Sequence, residues 1–212
     1  MVLDARRDKA DVFLLPLAKR MANVNPNTLT IYAFLCAVFA GLFFFMHEPA
    51  SMQPIYLFVA LAFLFLNALF DALDGRIAKL WKKETARGDF LDHLLDRYAD
   101  IFMIGGISLS PYCDVFLGFL ALLGVLMTSY VGTQAEATGT GRIYAGFMGR
   151  ADRLVVLIVA TALQIAFLLA GVSEIGIEGY FGFTILGYAM LVFAVLGHAT
   201  AIQRASLAWR RI

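Results

Sequence analysis

Charge is scarce in this chain. Asp, Glu, Lys and Arg make up 16% of its 212 residues, against 61% hydrophobic residues, whereas soluble domains are about one quarter charged. With a mean hydropathy of +0.78, that balance excludes an ordinary soluble domain and places the chain in the membrane class. The net charge is +1, so no bulk field draws nucleic acid or another polyanion. Cysteine is nearly absent: Cys36 and Cys113 are too few and too scattered for a disulfide framework or a zinc site. The three histidines, His47, His93 and His198, stand apart and offer no Ser-His-Asp arrangement for a covalent intermediate. His93 adjoins Asp92 but is turned about 100° from it on a helix, which suits packing or a local hydrogen bond. The N-terminal stretch carries charges throughout and no long apolar run, unlike a cleavable signal peptide.

Long apolar segments are what the chain does have. Six are readable, at roughly 28–46, 54–74, 89–109, 112–134, 151–172 and 179–201, each near the ~20 residues a span requires. They predict an all-α membrane protein with six transmembrane helices. The third contains charges and is the weakest by hydropathy. Residues 1–24 precede them, with Val12, Phe13, Leu14, Leu15 and Leu17 flanked by basic residues, the pattern of an amphipathic helix lying along a membrane surface. The remainder, 25–212, reads as one transmembrane domain. Pro26 ends the preceding helix, and Asn27 or Thr28 can cap the next. With six spans, all 17 Lys and Arg fall on the side that holds both termini, while the opposite loops carry only Glu48, Asp114, Glu174 and Glu178. By the positive-inside rule that basic side is cytoplasmic, predicting a multi-pass protein of the cell membrane with both termini inside.

Carboxylates interrupt this pattern at one place. Asp71 and Asp74 are three residues apart at the basic end of the second span, and Asp92 and Asp96 are four apart in the third. Each pair shares a helix face, and the short basic loop between the spans makes the helices antiparallel neighbours. Four carboxylates thus converge near the lipid boundary; a charged Asp costs about 2.5–3.5 kcal/mol at a membrane helix centre and less near the interface. A divalent cation removes both the burial cost and the mutual repulsion, and an all-oxygen ligand set suits Mg²⁺, Mn²⁺ or Ca²⁺ rather than zinc. Gly75, Ala78 and Gly88 leave an open helix face beside the acids. Of the rim cations Lys79, Lys82, Lys83 and Arg87, Lys79 is best placed to meet a phosphate. A cation transporter would also put acids among spans, but near the midplane and on broken helices.

The run Asp71-x2-Asp74-Gly75-x2-Ala78-Lys79-x8-Gly88-x3-Asp92-x3-Asp96 resembles the signature of the CDP-alcohol phosphatidyltransferases, D-x2-D-G-x2-A-R-x8-G-x3-D-x3-D. Every spacing matches, and Lys79 stands where the family has Arg, keeping the charge but losing the bidentate fork. The resemblance implies a six-helix enzyme that moves a phosphatidyl-type group from a CDP-lipid to an alcohol and releases CMP. It implies that Asp71, Asp74, Asp92 and Asp96 hold one or two Mg²⁺ or Mn²⁺ ions, with Asp96 also the general base. Gly75, Ala78, Lys79, Thr85 and Gly88 would border the CDP-lipid, together with Pro26, Asn27, Thr28 and Leu29 before the first span. Residues 129–154 look like those of the branch that accepts inositol 1-phosphate. Arg150, Arg153 and Arg204 would then grip the acceptor phosphate; glycerol 3-phosphate or serine are the alternative acceptors. A CDP-diacylglycerol or CDP-archaeol-type donor, surrounding lipid and a homodimer follow from the same resemblance.

Overall fold

The computed structural model describes residues 7–46, 54–141, 143, 145–177 and 181–212. Seven helices follow in order: α1 (Arg7–Arg20), α2 (Pro26–Met46), α3 (Ile55–Leu80), α4 (Ala86–Ser108), α5 (Val115–Ala137), α6 (Arg150–Leu169) and α7 (Ile185–Trp209). Five of them, α2, α3, α5, α6 and α7, are long and apolar enough to cross a membrane. The 23-residue α4 carries the second carboxylate row along its first half, which is why hydropathy passes it over. Residues 1–6, the 47–53 connection, Arg142 and Glu178 lie outside the described residues.

Helix boundaries follow local chemistry. Asn25, not Asn27 or Thr28, closes the start of α2: its Oδ1 accepts from Asn27 N at 3.0 Å, and Pro26 takes the first helical position, where its missing N–H costs nothing. Thr85, Asp114 and Thr184 each accept from a backbone N–H three residues on and so start α4, α5 and α7. Helix α3 continues past the expected end at Asp74 to Leu80, carrying the first carboxylate pair on unbroken helix. The last span differs most from expectation. It starts at Ile185 rather than 179, after a small antiparallel hairpin of β1 (Ile175–Ile177) and β2 (Phe181–Phe183) with Gly176 opposite Gly182. Among the described residues, the regular structure is therefore helical apart from one two-stranded ribbon.

Close packing uses small residues. Helix α2 packs against α3 and α4, while α5 packs against α7. A Cβ on Gly106 would collide with the backbone of Gly41, and one on Gly41 with the Phe102 carbonyl. These contacts set the α2–α4 separation. Gly197 makes the equivalent approach to Gly124, 2.8 Å from a modest Cβ to its carbonyl carbon, and Thr128 Oγ1 donates to Gly197 O at 2.9 Å across the same seam. The contacts α3–α6 and α4–α5 join the two halves. Their shared core includes Phe44, Leu57, Leu64, Met103, Val125 and Phe193. A second cluster of Ala18, Leu29, Leu73 and Ile77 ties α1 to the start of α2 and the end of α3.

Candidate active site

The facing ends of α3, α4, α5 and α6 enclose a cavity of about 930 Å³. Asp71, Asp74, Asp92 and Asp96 all line it, with Gly75, Arg150, Arg153 and Arg204. The carboxylates lie there because α3 and α4 run antiparallel and both Asp pairs face the gap between them. Carboxylate oxygens of Asp71, Asp74 and Asp92 come within 4.8 Å of one another, and atoms of Asp92, His93 and Asp96 do the same. Asp92 is thus the hinge between two overlapping groups. His93, expected to turn away, lines the cavity, with Nε2 3.4 Å from Asp89 and Nδ1 3.9 Å from Asp92. A side chain with two rotatable bonds recovers much of the 100° that the helix imposes between neighbours.

The acids are held individually. Thr30 Oγ1, from α2, donates to Asp74 Oδ2 at 2.7 Å. Arg150, at the first position of α6, pairs with Asp71 and lies 2.7 Å from Asp96 Oδ1. Arg97 lies 3.6 Å from Asp96 and 3.8 Å from Asp100, and it donates to Ser129 on α5. Asp92 Oδ1 is buried with no hydrogen-bond partner among the described residues. A buried carboxylate oxygen lacking a donor is costly, and a cation would satisfy it.

The three arginines come from two helices, Arg150 and Arg153 from α6 and Arg204 from α7. Arg153 is buried and donates through Nη2 to Asp100 Oδ2 at 2.7 Å. Arg204 gives Nε to Ala145 O at 2.8 Å and Nη1 to Thr128 O at 2.7 Å, fastening α7 to α5 and to the chain before α6. Both still border the cavity. The residues expected around the donor divide in two. Gly75 faces open space, since an added Cβ would meet nothing within 4 Å. Asn27, Thr85 and Gly88 meet outside the cavity lining: a Cβ on Gly88 would lie 2.9 Å from Asn27 Oδ1 and 3.1 Å from Thr85 Oγ1. Lys79 and Thr28 are exposed, and Ala78 is half-buried. Pro26 is buried at the helix start, and Leu29 packs into the Ala18 cluster. Sequence reasoning missed Thr30 and Arg97, and it reached Asp100 only as an extension of the second carboxylate row; Thr30 sits four residues after Pro26 on the helix that residues 26–29 open, the one hint available.

The arrangement offers hard oxygen ligands opposite a cationic wall, inside a pocket wide enough for small polar substrates. Helices α3 and α4 run unbroken through all four aspartates, unlike the interrupted helices of many transporters.

Comparisons with known proteins agree with this chemistry. An archaetidylinositol phosphate synthase of Methanothermobacter thermautotrophicus is 33% identical over 94% of this chain and 90% of its own length. A phosphatidylinositol phosphate synthase of Cutibacterium acnes is 28% identical over 86% of this chain and 84% of its own. The fold matches that of Mycobacterium tuberculosis phosphatidylinositol phosphate synthase, solved with CDP-DAG bound, with a TM-score of 0.71 over 92% of this chain and 93% of that one, at 24% identity. Residues 23–202 match the CDP-alcohol phosphatidyltransferase family as a whole, and the chain belongs to that family of membrane-embedded transferases.

Proposed function

We propose that this enzyme transfers a phosphatidyl-type group from CDP-diacylglycerol or a CDP-archaeol-type lipid to inositol 1-phosphate, releasing CMP. The observation that carries this reading is the meeting, in one cavity, of the Asp71, Asp74 and Asp92 cluster with Arg150, Arg153 and Arg204. The names of the relatives, inositol phosphate enzymes among them, support the same acceptor. In the proposed arrangement α4 spans the membrane beside its contacts α2 and α5, giving six spans. The basic side, with both termini and the cavity, faces the cytoplasm. Residues 1–24 lie along the membrane surface, 25–212 form the transmembrane domain, and two copies associate in the bilayer.

The aspartates fit a dication. Ligand oxygens around Mg²⁺ or Mn²⁺ lie about 2.0–2.2 Å from the metal, so two on one ion are at most roughly 4.5 Å apart. The 4.8 Å ceiling on the Asp71, Asp74 and Asp92 oxygens needs only small side-chain adjustments, and Asp92 Oδ1 still wants a partner. One or two Mg²⁺ or Mn²⁺ ions would neutralise the diphosphate and stabilise the leaving oxygen. The chain's own residues do the rest. Asp96 accepts the proton of the attacking hydroxyl, whose oxygen forms a bond to the lipid-side β-phosphorus as the bond to CMP breaks. Arg150, the member of this arginine trio that rests on side-chain carboxylates of the cluster, turns to the acceptor phosphate, with Arg153 and Arg204 fixed behind it. Gly75, Ala78, Lys79, Thr85, Gly88 and residues 26–29 border the donor nucleotide.

The test is the mass of the lipid made when membranes containing the protein receive CDP-lipid, Mn²⁺ and a panel of alcohols. A phosphorylated inositol lipid is expected. A product formed only with glycerol 3-phosphate or serine reassigns the acceptor, and flux of ions without nucleotide would favour a transporter.

A further inference from the structure

The turn between α3 and α4 does more than connect the two carboxylate rows. Lys83 Nζ donates to Ala22 O at 2.6 Å and to Val24 O at 3.0 Å, and Trp81 Nε1 donates to Ala18 O at 3.1 Å. All three carbonyls belong to the end of α1 and the turn leading into α2. The backbone bends to allow this. Lys82 has φ of 52°, a left-handed conformation usually given to Gly or Asn at a helix end, and Lys83 N closes the helix onto Ala78 O at 2.8 Å. Lys83 is half-buried, whereas its neighbours Lys79, Lys82 and Arg87 are exposed, so it alone among these turn cations faces inward.

The two segments approach again just beyond these turns, at the starts of α2 and α4, where Asn27 Oδ1 and Thr85 Oγ1 both border Gly88. One turn further along α2, Thr30 holds Asp74. A slip of the α1–α2 turn would therefore move Asn27 against the start of α4, while the Thr30–Asp74 contact deeper in α2 is kept by the packing of α2 on α3 and α4.

We propose that Lys83 is a positioning residue for the donor: by clamping the α1–α2 turn to the α3–α4 turn, it fixes Asn27 beside Thr85 and Gly88 and so shapes the ground on which the nucleotide of the CDP-lipid rests. The proposal rests on the transferase reading above and assigns Lys83 no contact with substrate. A lysine fits because three donors on a flexible stem can serve two diverging carbonyls at once, and charge-assisted bonds are the stronger kind.

Steady-state kinetics of the purified full chain with CDP-lipid, Mn²⁺ and the preferred alcohol test it. Lys83→Ala should raise the donor KM about tenfold, leave the acceptor KM unchanged, and keep kcat within about twofold. Lys83→Arg should restore most of the loss. Trp81→Phe, which keeps a ring and removes the N–H, should shift the donor KM in the same direction by about two- to threefold; it also decides the matter if Lys83→Ala does not fold. An unchanged donor KM in the folded variants, with or without a lower thermal stability, overturns the proposal. Wild type that releases no CMP with any alcohol instead refutes the transferase reading itself, so the two failures are separable.

Discussion

Arg153 was read from sequence as a phosphate-binding residue, yet in the fold it is also half of a buried ion pair. The pair with Asp100 spans 2.7 Å, and both side chains are 4% exposed. Removing one partner from such a pair leaves an uncompensated buried charge and costs about 3–5 kcal/mol. The two single variants should not be equal. After Arg153→Met, Asp100 still has Arg97 at 3.8 Å, so the loss should fall near 3 kcal/mol on that scale. After Asp100→Leu, Arg153 has no acid in the described network and lies beside Arg97, so the loss should approach 5 kcal/mol. The double variant replaces the pair with apolar groups and should return to within about 1 kcal/mol of wild type. Unfolding of the purified protein by SDS in mixed micelles, followed by circular dichroism, measures all four. A double variant no more stable than the worse single one would refute the buried-pair argument. The double variant also separates stability from binding: if Arg153 serves the acceptor phosphate as well, the acceptor KM should stay raised even though stability returns.

Three other outcomes follow from the same geometry. Thr30→Val removes the hydroxyl on Asp74 and should weaken Mn²⁺ binding, read by electron paramagnetic resonance, by at least about tenfold, while Thr30→Ser stays near wild type; equal affinity in Val and wild type would show that the bond is idle. Gly106→Ala places a methyl group against the Gly41 backbone and should cost about 1–3 kcal/mol in the same SDS titration; an unchanged midpoint would mean that α2 and α4 are not in contact there. Burial, helped by the neighbouring Asp114 charge, pushes the Cys113 thiol up to about 11. Because the thiolate is the reactive form, maleimide labelling of the folded protein should be slow at neutral pH and quicken with rising pH until about 11. Labelling at neutral pH as fast as in SDS-unfolded protein would contradict that environment.

Features governed by local spacing were readable in the sequence. Asp71 with Asp74 and Asp92 with Asp96 share helix faces by their separation alone, but the expected direct packing of α3 on α4 gives way to packing of both on α2, with the cavity between their carboxylate rows. The long helices follow from apolar runs; the third run, weakest by hydropathy because of its acids, is the 23-residue α4, which packs on α2 and α5. What depended on tertiary contact was hidden. Arg150 on Asp71, Arg153 on Asp100 and Thr30 on Asp74 join residues 79, 53 and 44 positions apart, and no periodicity points to such partners. The β1–β2 ribbon was obscured because the phenylalanines of β2 extend the apolar run that leads into α7, while Ile175 and Ile177 stand among Ser, Glu and Gly that read as a connection. Lys83 looked like one more positive-inside charge, since its inward turn onto two carbonyls is a tertiary contact that no local spacing reveals.

Crystals soaked in Mn²⁺ and measured at the manganese absorption edge address the chemistry at its root. An anomalous peak should appear among the carboxylates of Asp71, Asp74 and Asp92, adjoining Asp96, and Asp74→Asn should diminish it. No peak there at saturating Mn²⁺, or a peak only on an exposed acid such as Asp89, would contradict a dication site in this cavity.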